Sequence, residues 1–269
     1  MSLSSIASST ELQRPTLPLF PDALLSSEPP LAEYGNYRAR LALSETDRHA
    51  AFRLRFLVFN LEMQEGLASA FTNGLDQDLF DPFCDQLIVE DISTKQVIGT
   101  YRLQRGSTAA HNLGYYSEQE FDFSPYESLR TATIELGRAC ILREHRSAGV
   151  LNLLWRGIMR YALQRDGRYL IGCCSITSQD ADEGAAVYAS LQNYLVEPHL
   201  RTKPTAKYAL PEPTREIAAE TPPKLLRAYL AIGAKICGPP AIDRDFRTID
   251  LLTMIDLETL QPRIARRFL

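Results

Sequence analysis

The chain has 269 residues, 45% hydrophobic and 23% charged, with a formal net charge of −4. This is the composition of an ordinary globular protein, and its negative balance argues against a general nucleic-acid binder. No apolar run approaches the roughly 18–20 residues that cross a bilayer, and the cysteines (Cys84, Cys140, Cys173, Cys174, Cys237) have neither CxxC spacing nor the even count of a disulfide framework, so reduced thiols in a cytoplasmic protein are expected.

Residues 1–33, rich in Ser, Pro and Leu up to Pro30, lack the basic start and apolar core of a secretory signal and read as a mobile leader. A single domain is expected over residues 34–269. Its first strand is the alternating Tyr37–Ala42, and Ser44 and Asp47 offer capping chemistry for a helix to about Glu62. A polar stretch from Gly66 to Asp85 reads as a long loop, the kind that is often functional inside a compact domain. Strands at Gln86–Glu90 and Gln96–Leu103 flank a turn and predict an antiparallel hairpin. A short helix over Tyr116–Phe121 precedes a strong strand, Thr131–Leu142, whose internal Gly137 permits a bulge.

A helix follows from Ser147 to Arg165, apolar along Leu151, Leu154, Trp155 and Ile158, with Arg156 and Arg160 on another face. Tyr169–Cys174 is a buried strand, and Asp180 with Glu183 starts a helix to about Tyr194. After a Pro-containing connector (Thr202–Pro223), a helix over Pro222–Ala234 and a strand over Thr248–Leu257 close the chain. The order predicts a mixed α/β fold, a mostly antiparallel sheet with helices on both faces.

Charge is distributed unevenly. Between Asn60 and Asp91 stand Glu62, Glu65, Asp76, Asp78, Asp81, Asp85, Glu90 and Asp91 with no Lys or Arg, whereas Arg138–Arg168 is arginine-rich. An acidic half suits a cationic substrate, and a basic stretch suits a phosphate or an acidic protein partner; two solvated faces are the plainer alternative. The sharpest local feature is a strand bearing Glu135 and Arg138, followed by Arg143-Glu-His-Arg-Ser-Ala-Gly149 at a helix start, where free N–H groups and the helix dipole favour a phosphate.

This order of elements resembles the GNAT N-acyltransferases, whose loop at that place holds a pantetheine pyrophosphate. Their usual Arg/Gln-x-x-Gly-x-Gly/Ala is here Arg143-x-x-Arg146-x-Ala148, a departure that fits a carrier-protein pantetheine, with one phosphate and no adenosine. A closer resemblance runs from Tyr37 to Leu269. Cys84–Val89, Gly99–Leu103, Tyr115–Phe121, Glu135–Cys140, Ile171–Ser175, Leu225–Ala234 and Cys237–Asp243 look like the ornithine–acyl-carrier-protein N-acyltransferases, relatives of the long-chain N-acyl amino acid synthases often labelled hemolysins. More distantly, Arg55 and Phe59, Asp78 and Asp81, Arg102, and Glu135 with Arg138 match the pattern of the acyl-homoserine-lactone synthases. The tryptophan which that family places soon after its Arg/Phe pair is missing; the sole Trp is Trp155.

The resemblance implies a GNAT-like acyl-CoA N-acyltransferase fold and transfer of a long, optionally 3-hydroxylated, acyl group from acyl-carrier protein to an amino acid, ornithine first. The alternatives are a homoserine-lactone-type signal synthase, an acyl-CoA-dependent transferase and, outside enzymes, a membrane-lytic hemolysin. No bound cofactor or metal is expected, the donor being an acyl-phosphopantetheine co-substrate (acyl-carrier protein, or acyl-CoA). No nucleic-acid partner is expected either; membrane contact would be peripheral, through the lipid product. Glu135 is the expected base for the amine and Arg138 its charge partner or a carboxylate clamp, with bulge N–H groups near Gly137 facing the oxyanion. Arg55, Phe59, Asp78, Asp81 and Arg102 are expected to serve the amine substrate, Asp78 and Asp81 attracting its cationic side chain, with Arg55 and Arg102 as their alternative buried partners. Arg143, Arg146, Ser147, Ala148 and Gly149 are expected to bind the donor phosphate. A covalent acyl-cysteine at Cys173 or Cys174 is disfavoured, because no histidine lies near them in sequence.

Overall fold

Alternating apolar and polar residues build the edge of the sheet first. In the computed structural model, which describes residues 29–214 and 218–268, β1 (Ala32–Tyr34) and β2 (Tyr37–Leu41) form a hairpin turned at Gly35, whose φ of 55° suits glycine. Antiparallel pairing continues from β2 to β3 (Asp85–Asp91), β4 (Val97–Arg105) and β5 (Thr133–Ile141). β5 pairs in parallel with β6 (Tyr169–Ile176). The short β7 (Lys235–Ile236) and β8 (Ala241–Asp243) both pair with β9 (Thr248–Asp256), which lies antiparallel to β6. The path β1-β2-β3-β4-β5-β6-β9-β7 is the mixed, mostly antiparallel sheet expected from the sequence.

The sheet starts inside the segment expected as leader. Leu31 and Ala32 are apolar and become buried, which brings Ala32–Tyr34 into the sheet; residues 1–28 of that leader lie outside the described residues.

The pleat of β3 sets the two faces. Leu87 and Val89 point one way, and Leu87 meets the bare backbone of Gly157 in α3 (Ala148–Leu163), where an added Cβ would lie 3.0 Å away. Gln86 and Glu90 point the other way, toward α1 (Glu45–Arg55): Gln86 donates to Asp81, and Glu90 accepts from Arg40, which also holds Asp47. Ser44 caps α1 in a reciprocal box with Asp47. The core under α3 joins Leu153, Leu154 and Ile158 to Leu87, Leu103 and Leu251, each buried side chain contributing about 1.5–3 kcal/mol.

The helix expected to run to Glu62 widens into a π-helix over Phe56–Met63 and stops at Gln64, which is left-handed. Such winding is frequent at functional sites, and here it puts Phe59 and Met63 on the wall of the main cavity. The long loop contains 3-10 turns at Ala68–Thr72 and Asp81–Phe83. Among the described residues the other α-helices are α2 (Gly106–Ala110), α4 (Ala181–Ser190), α5 (Lys224–Ala231) and α6 (Pro262–Phe268), and the short helix expected at Tyr116 is a 3-10 turn over Tyr116–Gln119. Among the described residues no helix is long and apolar enough to cross a membrane.

Candidate active site

Two interruptions in the sheet make the site. β5 and β6 pair only over Thr133–Glu135 and Tyr169–Ile171, and then part. On its other side β5 slips register against β4 between Thr100 and Arg102, leaving Arg138 and Ala139 without a partner across the ladder. The bulge permitted by Gly137 falls on its neighbour Arg138, held at a φ of 51°. A cavity of about 220 Å³ fills the gap, walled by Leu136–Ala139 of β5, Cys173–Ser175 of β6, Phe59, Arg102, Tyr116, Ser117, Glu135, Phe246 and Asp250.

Glu135 is 5% exposed and faces this space. Its carboxylate accepts the N–H groups of Tyr116 and Ser117, both at 2.8 Å, and the Ser117 hydroxyl at 2.6 Å. Burial raises its pKa above the ordinary carboxylate value, and the bonds from Ser117 oppose that rise. The charge partner expected for it is engaged elsewhere: Arg138 bonds Asp76, because the bulge swings it toward the long loop. Its guanidinium lies between the rings of Phe59 and Phe246, 4.3 and 4.8 Å from their centroids, and its Nε is buried without a hydrogen-bond partner. Burial lowers the Arg138 pKa from its ordinary value against the pull of Asp76.

Asp78 and Asp81 do not reach the cavity. Arg55, fully buried, bonds Asp76 at 2.9 Å and Asp81 at 2.7 and 3.0 Å, while Arg102 holds Asp78 at 2.6 and 2.7 Å. Burial would raise the Asp81 carboxyl, but Arg55 and Arg102 overcome it and bring it down to about 2. Asp78 and Asp81 also accept loop N–H groups, from Phe80 and Asp78. The expectation that they attract a substrate cation is therefore replaced: their charges are already matched by arginines that need them. The network clamps the long loop to α1 and β4, and of its members Arg102 and Arg138 line the cavity.

Besides Glu135 and the half-buried Glu65, acidity at the cavity comes from residues to which the sequence assigns no role. Asp250 lines it, and Glu120 and Asp243 are also buried. Glu120 lies beside Cys173, whose Sγ is 3.8 Å from Glu120 Oε2 and 3.5 Å from Ser117 Oγ. Burial and the neighbouring Glu120 and Asp250 hold the Cys173 thiol well above its ordinary pKa, and burial pushes Cys174 up to about 12. Both thiols stay protonated at neutral pH, the wrong state for an acyl-cysteine nucleophile. The one signal for the acidic group was an aspartate inside an apolar strand, Ile249-Asp250-Leu251.

At the start of α3, Ser147 caps the helix by accepting the N–H of Val150. Arg143 and Arg146 are exposed and both pair with Glu62, at 3.2 and 2.7 Å. Gly149 is closely approached by the Tyr34 ring, 2.3 Å from where a Cβ would stand, so β1 covers this side of the helix start. Arg156 and Arg160 sit further along α3, Arg156 reaching the Glu33 carbonyl at 3.3 Å.

Residues 54–156 match the model of the Acetyltransferase (GNAT) domain. Among solved structures the chain is similar to FeeM, an N-acyl amino acid synthase from uncultured soil microbes (12% identity, TM-score 0.49, covering 83% of this chain and 93% of that one). It is also similar to the AHL synthase LasI (14% identity, TM-score 0.48, 82% and 90% covered). Curated relatives are nearer in sequence. The L-ornithine N(alpha)-acyltransferase of Agrobacterium fabrum (strain C58 / ATCC 33970) is 31% identical over 249 residues, 85% of this chain and 84% of that protein. The protein of the same name from Rhizobium meliloti (strain 1021) is 31% identical over 251 residues, 87% and 84% covered. The chain is an acyltransferase with a GNAT domain and belongs to the L-ornithine N(alpha)-acyltransferase family.

Proposed function

We propose that the protein transfers a long-chain acyl group from a phosphopantetheine thioester, carried by acyl-carrier protein, to the α-amine of ornithine. The observation that carries this reading is the pairing, in one cavity between parted strands, of the buried carboxylate Glu135 with the unpartnered Nε of Arg138. A base and an anion clamp on one wall suit a zwitterionic amine better than a peptide or a sugar. The relatives' name supplies the amino acid.

The thioester lies in the gap between β5 and β6, its phosphate end at the first turn of α3, where helix N–H groups lack intrahelical partners. Arg143 and Arg146 exchange Glu62 for the phosphate. The substrate carboxylate bonds Arg138, which turns the α-amine toward Glu135. An α-ammonium with a pKa near 8 must lose a proton before attack, and Glu135 receives it directly or through one water. The amine nitrogen then bonds the carbonyl carbon, and N–H groups of the bulge at Arg138 and Ala139 face the oxyanion. The C–S bond breaks as the nitrogen's remaining surplus proton passes to the sulfur, releasing the pantetheine thiol and leaving the first proton on Glu135 to be lost to water. A second, small pocket shares Tyr101, Leu136, Cys173 and Tyr229 with the cavity and is mostly apolar, with Trp155, Leu170 and Ile255 beside Thr253, which suits the start of an acyl chain.

Donor and product both suit the cytoplasmic side of a membrane, with contact made through the lipid product. The test is lipid mass spectrometry of a heterologous host expressing the chain. A new N-acylornithine, absent with Glu135→Gln, supports the reading; a lipid profile unchanged by the wild-type chain overturns it.

A further inference from the structure

Glu120 and Asp250 are 1% and 4% exposed, and each keeps one carboxyl oxygen (Oε1 and Oδ1) buried without a hydrogen-bond partner. Their ligand atoms and Cys173 Sγ lie within 4.8 Å of one another. Asp243, 2% exposed and fixed by the N–H groups of Asp245 and Phe246, adds a further negative charge. Among the described residues none of the three forms an ion pair, in contrast to Asp76, Asp78 and Asp81, each of which has an arginine. Uncompensated buried carboxylates are costly to a fold, so a group that survives beside a substrate cavity is short of a cation supplied from outside.

The geometry points to Glu120 and Asp250 as the seat of the substrate's side-chain ammonium, making this pair the determinant that selects a basic amino acid over a neutral one. The inference rests on the acyltransferase reading above and adds the far end of the substrate to it. An ammonium is compact and carries three donors, enough to satisfy both orphaned oxygens. Arg138 Nε, the unpartnered donor on the same cavity, takes the α-carboxylate. The two ends of a basic amino acid thus meet two unmatched groups of opposite sign, which a bare metal ion would not do. Burial raises both carboxyls, Asp250 to about 6, with Asp243 adding to the rise at each and Asp250 to that at Glu120, so the empty pair retains a proton that an arriving ammonium displaces.

Calorimetric titration of the full chain with L-ornithine and with L-norvaline, the same skeleton without the side-chain amine, tests this. Wild type should bind ornithine at least about tenfold more tightly, and Asp250→Asn and Glu120→Gln should each shrink the gap to about threefold or less. Ornithine binding should also release a proton near pH 6, and Asp250→Asn should reduce that release. Equal affinity for the two amino acids, equal losses in the variants, or tight binding of Zn²⁺ alone that Cys173→Ser removes would each overturn the assignment. An acyl-transfer assay on the same samples separates the two readings. Equal acylation of norvaline and ornithine defeats the selectivity claim and leaves the transfer claim standing. Selective ornithine binding without any acyl-amino acid product does the reverse.

Discussion

Replacing Asp250 with asparagine should stabilise the free protein at neutral pH, although it removes a buried charge from a hydrogen-bonded strand. Burial and the neighbouring Asp243 raise Asp250 against hydrogen bonds with Ser175 and Glu120, and among the described residues no ion pair reaches Asp250. A carboxyl raised from 3.8 to about 6 disfavours the ionised native state by about 3 kcal/mol, at about 1.4 kcal/mol per tenfold change in proton affinity. The sign follows from the raised folded value. This contribution to stability is present below the unfolded pKa near 4 and is lost as pH rises through about 6. Asparagine cannot ionise, and its amide donates to the Glu120 carboxylate. Chemical denaturation of both proteins at pH 4 and pH 7.5 should therefore show the variant gaining up to about 3 kcal/mol on wild type over that interval, or about 6 °C or more in Tm. A variant that is less stable than wild type at pH 7.5, with the same pH slope, would refute the picture of an uncompensated pair.

Glu135→Gln should lower kcat by about 10²–10⁴-fold while costing about 1.5–3 kcal/mol of stability, because its amide must oppose an N–H of Tyr116 or Ser117; Ser117→Ala, which removes one bond and leaves the carboxylate, should cost less than about tenfold in kcat. Asp76→Asn leaves Arg55 and Arg138 short of a buried partner, so denaturation should show a loss of about 3–5 kcal/mol, and kinetics a higher KM for the amino acid. Charge reversal of Arg156 and Arg160 together should slow turnover of acyl-carrier protein but not of acyl-CoA, since both lie beyond the first turn of α3; the wild-type preference for the carrier protein should narrow at high salt. Equal losses with both donors would count against the carrier protein.

Much of the fold was legible because its elements are long and periodic. Tyr37–Leu41, the hairpin after Cys84, the Glu135 strand and the helix after Ser147 all carry amphipathic alternation or capping residues that act locally. The short β7 and β8 and the terminal α6 were not legible, since two- and three-residue strands exist only because β9 offers them a partner. In the site, Glu135, Arg138, Phe59 and Arg102, all expected from the sequence, line one cavity. Arg55, Asp78 and Asp81 lie in ion pairs one rank behind it, because spacing along a chain does not tell a ligand from the ion pair that holds one. Asp76, Glu120, Asp243 and Asp250 have no such spacing to mark them: their places are set by the loop fold and by the antiparallel pairing of β6 with β9, not by any local pattern.

Acyl transfer by purified components tests the central claim most directly. The full chain, an acyl-loaded carrier protein and L-ornithine would be combined, with free carrier thiol and amino-acid product measured together. Equimolar release of the thiol and appearance of an amide on the α-nitrogen of ornithine is the predicted result. Thioester loss without any acylated amino acid, or acylation confined to the side-chain nitrogen, would contradict it.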